Sequence, residues 1–435
     1  TIDKFVYSSS AENKDIKFEL DGLEKGSVFQ VTGITFTKQD ADWTNVKGGT
    51  ATVTPWTLTA NNDGDQQWGH LRYKQTGTGV SSVQVKPINT SMGDHFYWNS
   101  AKLSSIAYGQ TLTAGEEYEA TITVNYTSGE AESGKTPEVL YNIPAAGISE
   151  ETMTLSAGTN TINVPAFTYD SSADNSLELE LDSLEKESII QVTDITFTST
   201  GWKQAPKNTD FTPTGTPWTL HAANDQSTPG EEQWGDMSYK VDGTASNISS
   251  TLIRPNATDV GEHYYWNTAT LENYLATLSD GHSYTGSITV NYTPGEAEAG
   301  KTPELRTIVT AAGTGELDQA VTSGTNTISI DEFIYSSAAE NKDIKFELDG
   351  LEKGSVFQVT GITFTEVDSD WTNVKGGTAT VAPWTLTANN DGSEQWGHLR
   401  YKQTGTGVSS VQVKPMSTSM GDHFYWNSAK LSSIA

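Results

Sequence analysis

The chain repeats itself, and no other feature limits its fold as much. Residues 1–107 align without a gap to residues 329–435, an offset of 328, with about a dozen differences. These are mild: Lys4 against Glu332, Val6 against Ile334, Thr54 against Ala382, Ile88 against Met416. A diverged copy lies between. FVYSSSAEN from Phe5 becomes FTYDSSADN from Phe167 and FIYSSAAEN from Phe333, and GDHFYWN at 93–99 becomes GEHYYWN at 261–267 and GDHFYWN at 421–427. Repetition on this scale means tandem units, each with its own core, and 435 residues exceed what one core supports. The order A–B–A′ implies duplication of a two-copy unit, so the chain reads as a window on a longer A–B–A–B array.

Each copy reads as strands. SVFQVTGITFT (27–37), DIKFELDGL (15–23), VSSVQVKP (80–87) and YEATITVNYT (118–127) alternate β-branched or aromatic residues with polar ones at period two. Turn signals punctuate them at 61–65, 77–79 and 113–117. Helical periodicity is nearly absent, with one turn expected near residues 100–108. The expected fold is all-β: tandem antiparallel β-sandwiches in a linear array, since a sandwich leaves two ends free to connect. Residues 128–147 and 294–313 are rich in Gly, Pro, Ala and Glu and read as boundaries. They divide the chain into copy A (1–147), copy B (148–313) and copy A′ (314–435, truncated relative to A). The recurrence of Gly-Lys-Thr-Pro-Glu in both segments predicts a linker docked in a fixed way.

Charge narrows the partners. Asp+Glu number 55 against Lys+Arg 26, for a net charge of −29, so phosphate backbones and anionic membranes are repelled. No apolar run reaches the length of a membrane span. With no cysteine, disulfides, thiolate metal sites and cysteine nucleophiles are excluded together. No serine elbow, paired metal-binding histidines or phosphate loop is present. His95, His263 and His423 recur, but their one neighbour common to all copies is an acid on the opposite strand face. His70 and His398 are replaced by Asp236 in copy B. The chain is therefore read as non-enzymatic. Tandem near-copies add little to a catalyst, but they give a binder avidity and a stalk reach.

The twelve tryptophans fall four to a copy. Trp56 and Trp98, with their equivalents, sit in strand contexts and read as core. Trp68, Trp234 and Trp396, and after them Trp43, Trp202 and Trp371, border polar loops and are the candidates for stacking on a sugar ring. The loop Asn61-Asn62-Asp63-Gly64-Asp65, with its counterpart at Asp391, resembles a Ca2+ loop through its alternating oxygens. A polar hairpin turn is the simpler reading. No cofactor is expected beyond that Ca2+.

The closing segment LTAGEEYEATITVNYT, matched at Leu112, Gly115, Tyr118, Thr121, Ile122 and Val124, resembles the final strand of fimbrillin-like (Mfa-like) domains of Bacteroidetes surface proteins. Copy B matches at Leu278, Gly281, Tyr284, Ser287, Ile288 and Val290. The resemblance implies a transthyretin-like β-sandwich used in surface fibres or adhesion, and carries over no catalytic residue. The expected function is an extracellular structural or adhesive tandem-repeat protein, a stalk or fibre on a bacterial cell surface. Its expected partners are neighbouring repeats, further copies of itself, or a glycan or host surface. The alternative is an array of carbohydrate-binding modules.

Overall fold

The computed structural model describes residues 15–38, 42–47, 49–60, 70–88, 96–102, 111–130, 136–183, 186–207, 209–222, 237–242, 247–256, 264–270, 278–296, 302–337, 339, 342–349, 353–374, 377–388, 399–415 and 424–428. Two units separate, Thr1–Trp43 and Thr44–Ala435.

The second unit opens with a β-sandwich. One layer runs, in hydrogen-bonded order, Thr44–Lys47, His70–Gln75, Val83–Pro87, Ile189–Gln204, Glu116–Thr127, Gly158–Thr168. The facing layer runs Gly49–Val53, Trp56–Ala60, Phe96–Lys102, Ser176–Asp182, Glu138–Ile143, Ile148–Thr154. All these pairs are antiparallel. Alternation in the sequence becomes alternation in space: along Glu116–Thr127 the side chains of Tyr118, Ala120, Ile122, Val124 and Tyr126 are buried. They meet Trp56 and Leu58 from the opposite layer, with Leu177, Leu179 and Leu181, in one apolar cluster. Trp56 ties the layers together, its indole N–H donating to the Val80 carbonyl at 3.0 Å. Trp218 repeats that bond to Ile248 at 2.9 Å, and Trp384 to Val408 at 2.8 Å.

A second sandwich follows the same plan. Its layers are Met237–Val241, Thr251–Pro255, Val356–Val367, Ser283–Thr293, Gly324–Ile334, and Asp210–Phe211, Thr219–Ala222, Tyr264–Thr270, Asp343–Asp349, Glu304–Val309, Leu317–Ala320. Its core gathers Trp218, Ile288, Val290, Phe346, Phe357 and Val359. Beyond it stand two three-stranded sheets, Thr372–Val374, Leu399–Gln403, Val411–Pro415 and Gly377–Val381, Trp384–Ala388, Phe424–Ser428, around a smaller cluster that includes Leu386 and Leu399.

The motif of the closing strand has a local cause. Gly115 and Gly281 take left-handed φ values of 81° and 75°, which turn the chain into the strand. Their N–H groups donate to the carbonyls of Tyr169 and Tyr335 at 2.8 Å. Three residues on, the Tyr118 hydroxyl accepts the Thr113 N–H at 3.0 Å, and Tyr284 accepts that of Ser279 at 2.9 Å. Gly-x-x-Tyr is therefore a corner that fixes where the strand begins.

Cores and repeats share a period but not a phase. The first core draws on residues 46–197 and the second on residues 205–359, so each joins the later part of one copy to the earlier part of the next. The described parts of residues 128–147 and 294–313, linker-like in composition, belong to the sandwiches: Glu138–Ile143 and Glu304–Val309 are inner strands of their layers. Pro137 accepts the Leu155 N–H at 2.8 Å, and Pro303 that of Val321 at 2.9 Å. Of the recurring Gly-Lys-Thr-Pro-Glu, the Gly-Lys half lies outside the described residues, and Glu138 and Glu304 open the strands Glu138–Ile143 and Glu304–Val309. The helical turn expected near 100–108 is absent from its described part, since residues 100–102 finish the strand Phe96–Lys102.

In the first unit, residues 15–38 belong to no strand. Phe18 and Phe29 are half exposed, their ring centroids 6.1 Å apart. Residues 15–37 are identical to 343–365, which do form strands. The strand expectation for 15–23 and 27–37 thus fails in copy A and holds in copy A′. A strand needs a neighbour to satisfy its N–H and C=O groups, and the sequence alone does not supply one.

Candidate functional site

The distinctive chemistry of this chain lies where one sandwich meets the next. The strand Ile189–Gln204 spans 16 residues. Ile190, Val192, Ile195 and Phe197 are buried in the first core. Farther along, Lys203 pairs with Tyr239 and Gln204 with Ser238, both on the second sandwich, and Ala205 is buried in the second core. One strand therefore closes one sandwich and opens the next.

Charged side chains clamp this junction. Arg254, on Thr251–Pro255, holds Glu117 of the first sandwich with both terminal guanidinium nitrogens, Nη1 donating to Oε1 at 3.3 Å and Nη2 to Oε2. Glu117 also accepts the Thr200 hydroxyl at 2.8 Å. The guanidinium lies 4.3 Å above the ring centroid of Trp202, a cation–π contact. Lys240 donates to the Thr200 carbonyl at 3.0 Å, and Lys203 pairs with Glu116 at 2.7 Å.

The next junction uses the same parts differently arranged. Val356–Val367 ends in a turn at Asp368, whose carbonyl accepts the Trp371 N–H at 2.7 Å. Arg400 is 1% exposed and donates to Asn373 at 3.1 Å, to Asp368 at 3.1 Å and to Glu332. Lys414 donates to Asp368 at 2.7 Å and stands 5.9 Å from the Trp371 centroid. Strand register explains the rearrangement. Arg72 faces Lys86, Ser238 faces Arg254, and Arg400 faces Lys414. In copy B the guanidinium has moved one strand sideways while staying at the same level of the sheet. Arg72 repeats the Arg400 geometry toward Asn45, at 3.0 Å.

Of the sugar-stacking candidates, Trp202 and Trp371 sit at these junctions, half buried and faced by a cation. Trp43 is half buried at the end of the first unit. Trp68, Trp234 and Trp396 lie outside the described residues, as do Asp63, Asp65 and Asp391 and the recurring His95, His263 and His423. Among the described residues no group of three or more His, Asp or Glu is placed to hold a metal ion, and no helix is long and apolar enough to cross a membrane. Sequence reasoning missed the clamp. The signal was available: the chain has four arginines, and Arg72, Arg254 and Arg400 share this level of the sheet.

Two expectations follow. The Glu117–Arg254 pair is mostly buried, so a double-mutant cycle with Glu117→Gln and Arg254→Met should return a coupling of about 1–2 kcal/mol in chemical denaturation, above that of an exposed pair. A coupling near zero would demote the clamp to a surface contact.

The second expectation concerns acid. The hydrogen bond from Lys203 holds the Glu116 carboxyl below its ordinary 4.5, and the same bond raises the Lys203 ammonium above its ordinary 10.5. A depressed carboxyl stabilises the fold above its unfolded value, and that contribution is lost as pH falls through the folded one. For the raised ammonium the contribution is complete below 10.5 and is lost as pH climbs through the folded value. The melting-temperature gap between wild type and Lys203→Met should therefore be open near neutrality and close as pH drops below 4.5. A gap independent of pH in that range would disprove the assignment.

No family model and no curated protein matches the chain. Solved structures do match. The N-terminal CBM22-1–CBM22-2 tandem domain of Paenibacillus barcinonensis Xyn10C is 12% identical over 76% of this chain and 94% of that one, with a TM-score of 0.19. The xylan-binding module CBM15 is 12% identical over 36% of this chain and 97% of that one, with a TM-score of 0.20. A Parabacteroides distasonis protein described as secreted is 10% identical over 74% of this chain and 93% of that one, with a TM-score of 0.22. At these TM-scores the likenesses decide nothing about function.

Proposed function

We propose that the chain is a stretch of an extracellular structural or adhesive array, a stalk or fibre on a bacterial cell surface, and that it is not an enzyme. The observation that carries this reading is the strand Ile189–Gln204, held in two sandwiches at once. A chain that only needed to display independent binders would join them by slack linker. A strand hydrogen-bonded on both sides of a boundary, with an arginine clamped across it, couples neighbours and transmits load. The acidic, cysteine-free composition suits an exported solvated surface, and the fimbrillin-like closing motif fits the same setting.

Electron microscopy of the chain tests this. The expected particles show lobes at one constant spacing, and Glu117→Ala with Arg254→Ala broadens that spacing. Freely varying spacing in the unmodified protein would overturn the reading.

Glycan binding is the second reading, favoured by the recurrence of Trp68, Trp234 and Trp396 beside polar loops. Binding on a glycan array that disappears in Trp68→Ala with Trp396→Ala would put it first. A blank array removes it.

A further inference from the structure

We propose that the second sandwich pairs edge to edge with the same sandwich of another chain through the strand Gly324–Ile334, two copies lying antiparallel about Thr327 so that one layer continues across both. This strand stands at the edge of its layer, bonded on one side by Ser283–Thr293. Among the described residues no strand pairs with its other side. Asn326, Ile328 and Ile330 are buried, and Thr325, Thr327 and Ser329 are exposed. The Gln319 amide donates to the Thr327 carbonyl at 3.1 Å, so that carbonyl is turned away from the ladder. Residues two apart in an antiparallel strand turn their N–H and C=O groups the same way. Thr325, Thr327 and Ser329 therefore present a row of backbone donors and acceptors along the edge, which is a template for a further strand.

The first sandwich shows what a guarded edge looks like in this chain. Its counterpart strand, Gly158–Thr168, has the same length of 11 residues. Where the second sandwich has Asp331, the first has Pro165, which offers no N–H to an incoming strand. The neighbouring edge, in the facing layer, differs too. Register sets Glu151 opposite Tyr141 in the first sandwich and Leu317 opposite Thr307 in the second. Glu150 and Glu151 stand on Ile148–Thr154, and neither that strand nor its neighbour Glu138–Ile143 has a lysine or arginine. In the second sandwich Leu317 is half buried, and Arg306 balances Glu316 at 3.6 Å and Asp318 at 2.7 Å. Proline and unbalanced acid thus guard the first edge and are missing from the second.

Charge selects a second copy as the occupant. Chains of net charge −29 repel one another, so they can meet only across a neutral rim. Residues 322–330, TSGTNTISI, hold no charged side chain. A basic partner would find no acid to pair with there, and an apolar one no exposed apolar side chain. The strand does match itself. Centred on Thr327, the antiparallel register sets Thr327 against Thr327 and Thr325 against Ser329, hydroxyl facing hydroxyl. Asp331 then faces Ser323 and Glu332 faces Thr322, which keeps the acids apart. The contact is isologous and closes as a two-fold pair. It needs neither the clamped junctions nor a neighbouring repeat, and in an array it would recur with every copy of the second sandwich and bundle chains side by side.

With no cysteine in the chain, a single substitution reports the register. Residues directly opposite in a hydrogen-bonded antiparallel pair have Cα atoms about 5.5 Å apart, within reach of a disulfide. Under mild oxidation the full chain carrying Thr327→Cys should give a covalent dimer near twice the 47.0 kDa chain mass. Thr161→Cys, the counterpart in the first sandwich, should stay monomeric. Unmodified chain should show a concentration-dependent dimer in sedimentation equilibrium. Asp331→Pro with Leu317→Glu, the residues that the first sandwich has at these places, should weaken that dimer about tenfold, the worth of one or two backbone hydrogen bonds. Thr327→Asp, at an exposed position, sets two carboxylates face to face and should abolish the dimer while leaving the melting curve in place. Equal cross-linking of Thr327→Cys and Thr161→Cys, an unmodified chain that stays monomeric at every concentration, or a dimer that survives Thr327→Asp overturns the proposal.

Discussion

Replacing Trp56 by alanine is expected to destabilise the first sandwich by about 4 kcal/mol. Trp56 is 0% exposed and its indole spans the two layers, with its N–H bonded to the Val80 carbonyl at 3.0 Å. Truncation leaves a cavity too large for the surrounding strands to collapse into, because those strands are fixed by their own hydrogen-bond ladders. It also leaves that carbonyl without its indole donor. Trp218→Ala should act equally on the second sandwich, where the same bond is 2.9 Å. Trp202→Ala provides the contrast: half buried at a junction, it should cost roughly 1 kcal/mol, mainly as lost contact with Arg254. Chemical denaturation of the three variants separates core from junction tryptophans. Equal losses at Trp56 and Trp202 would contradict the division.

That division was partly legible in the sequence. Period-two alternation places the strand at 118–127 and most of the one at 80–87, where Val80–Ser82 instead form a 3-10 turn before Val83–Pro87, and the strand context of Trp56 marks it as core. The phase of the packed unit was not legible. A repeat fixes the distance between equivalent residues and leaves open which neighbouring stretches close one core. Here one core gathers Leu177 and Leu179 of copy B with Trp56 and Leu58 of copy A. Residues 15–37 and 343–365 make the limit explicit, because no reading of 23 identical residues can give two answers. The clamp was hidden for another reason. An alignment sets Arg72 against Ser238 and Lys86 against Arg254, so by position the arginine is lost in copy B, and only the strand pairing shows that it moved to the adjacent strand.

Glycine content misled in an instructive way, and Gly129 turns it into a prediction. Gly129 lies in a stretch whose composition resembles a flexible linker, yet a methyl group on its Cα would come within 2.2 Å of the Lys186 carbonyl oxygen and 2.4 Å of the Ser188 nitrogen. Both are backbone atoms, so neither can rotate away. Gly295 meets Lys353 and Ser355 at the same two distances. The close approach exists because the next residue forms a two-way bridge: the Glu130 N–H donates to Lys186 at 2.8 Å and the Lys186 N–H donates back at 3.1 Å, matched by Glu296 and Lys353. The turn is anchored from its far side as well, since the Glu187 N–H donates to the Pro87 carbonyl at 3.0 Å. Gly129→Ala must therefore push the two backbones apart and break the bridge. Two backbone hydrogen bonds at about 1 kcal/mol each, with steric strain of similar size, give a loss of about 3 kcal/mol. Gly295→Ala should cost the second sandwich as much. Gly49, with nothing within 4 Å of the position a methyl would occupy and an ordinary φ, is the control, and Gly49→Ala should leave the midpoint nearly unchanged. If Gly129→Ala unfolds at the same denaturant concentration as Gly49→Ala, residues 128–130 are slack after all, and the fixed approach between these two backbones is not what the glycine is for.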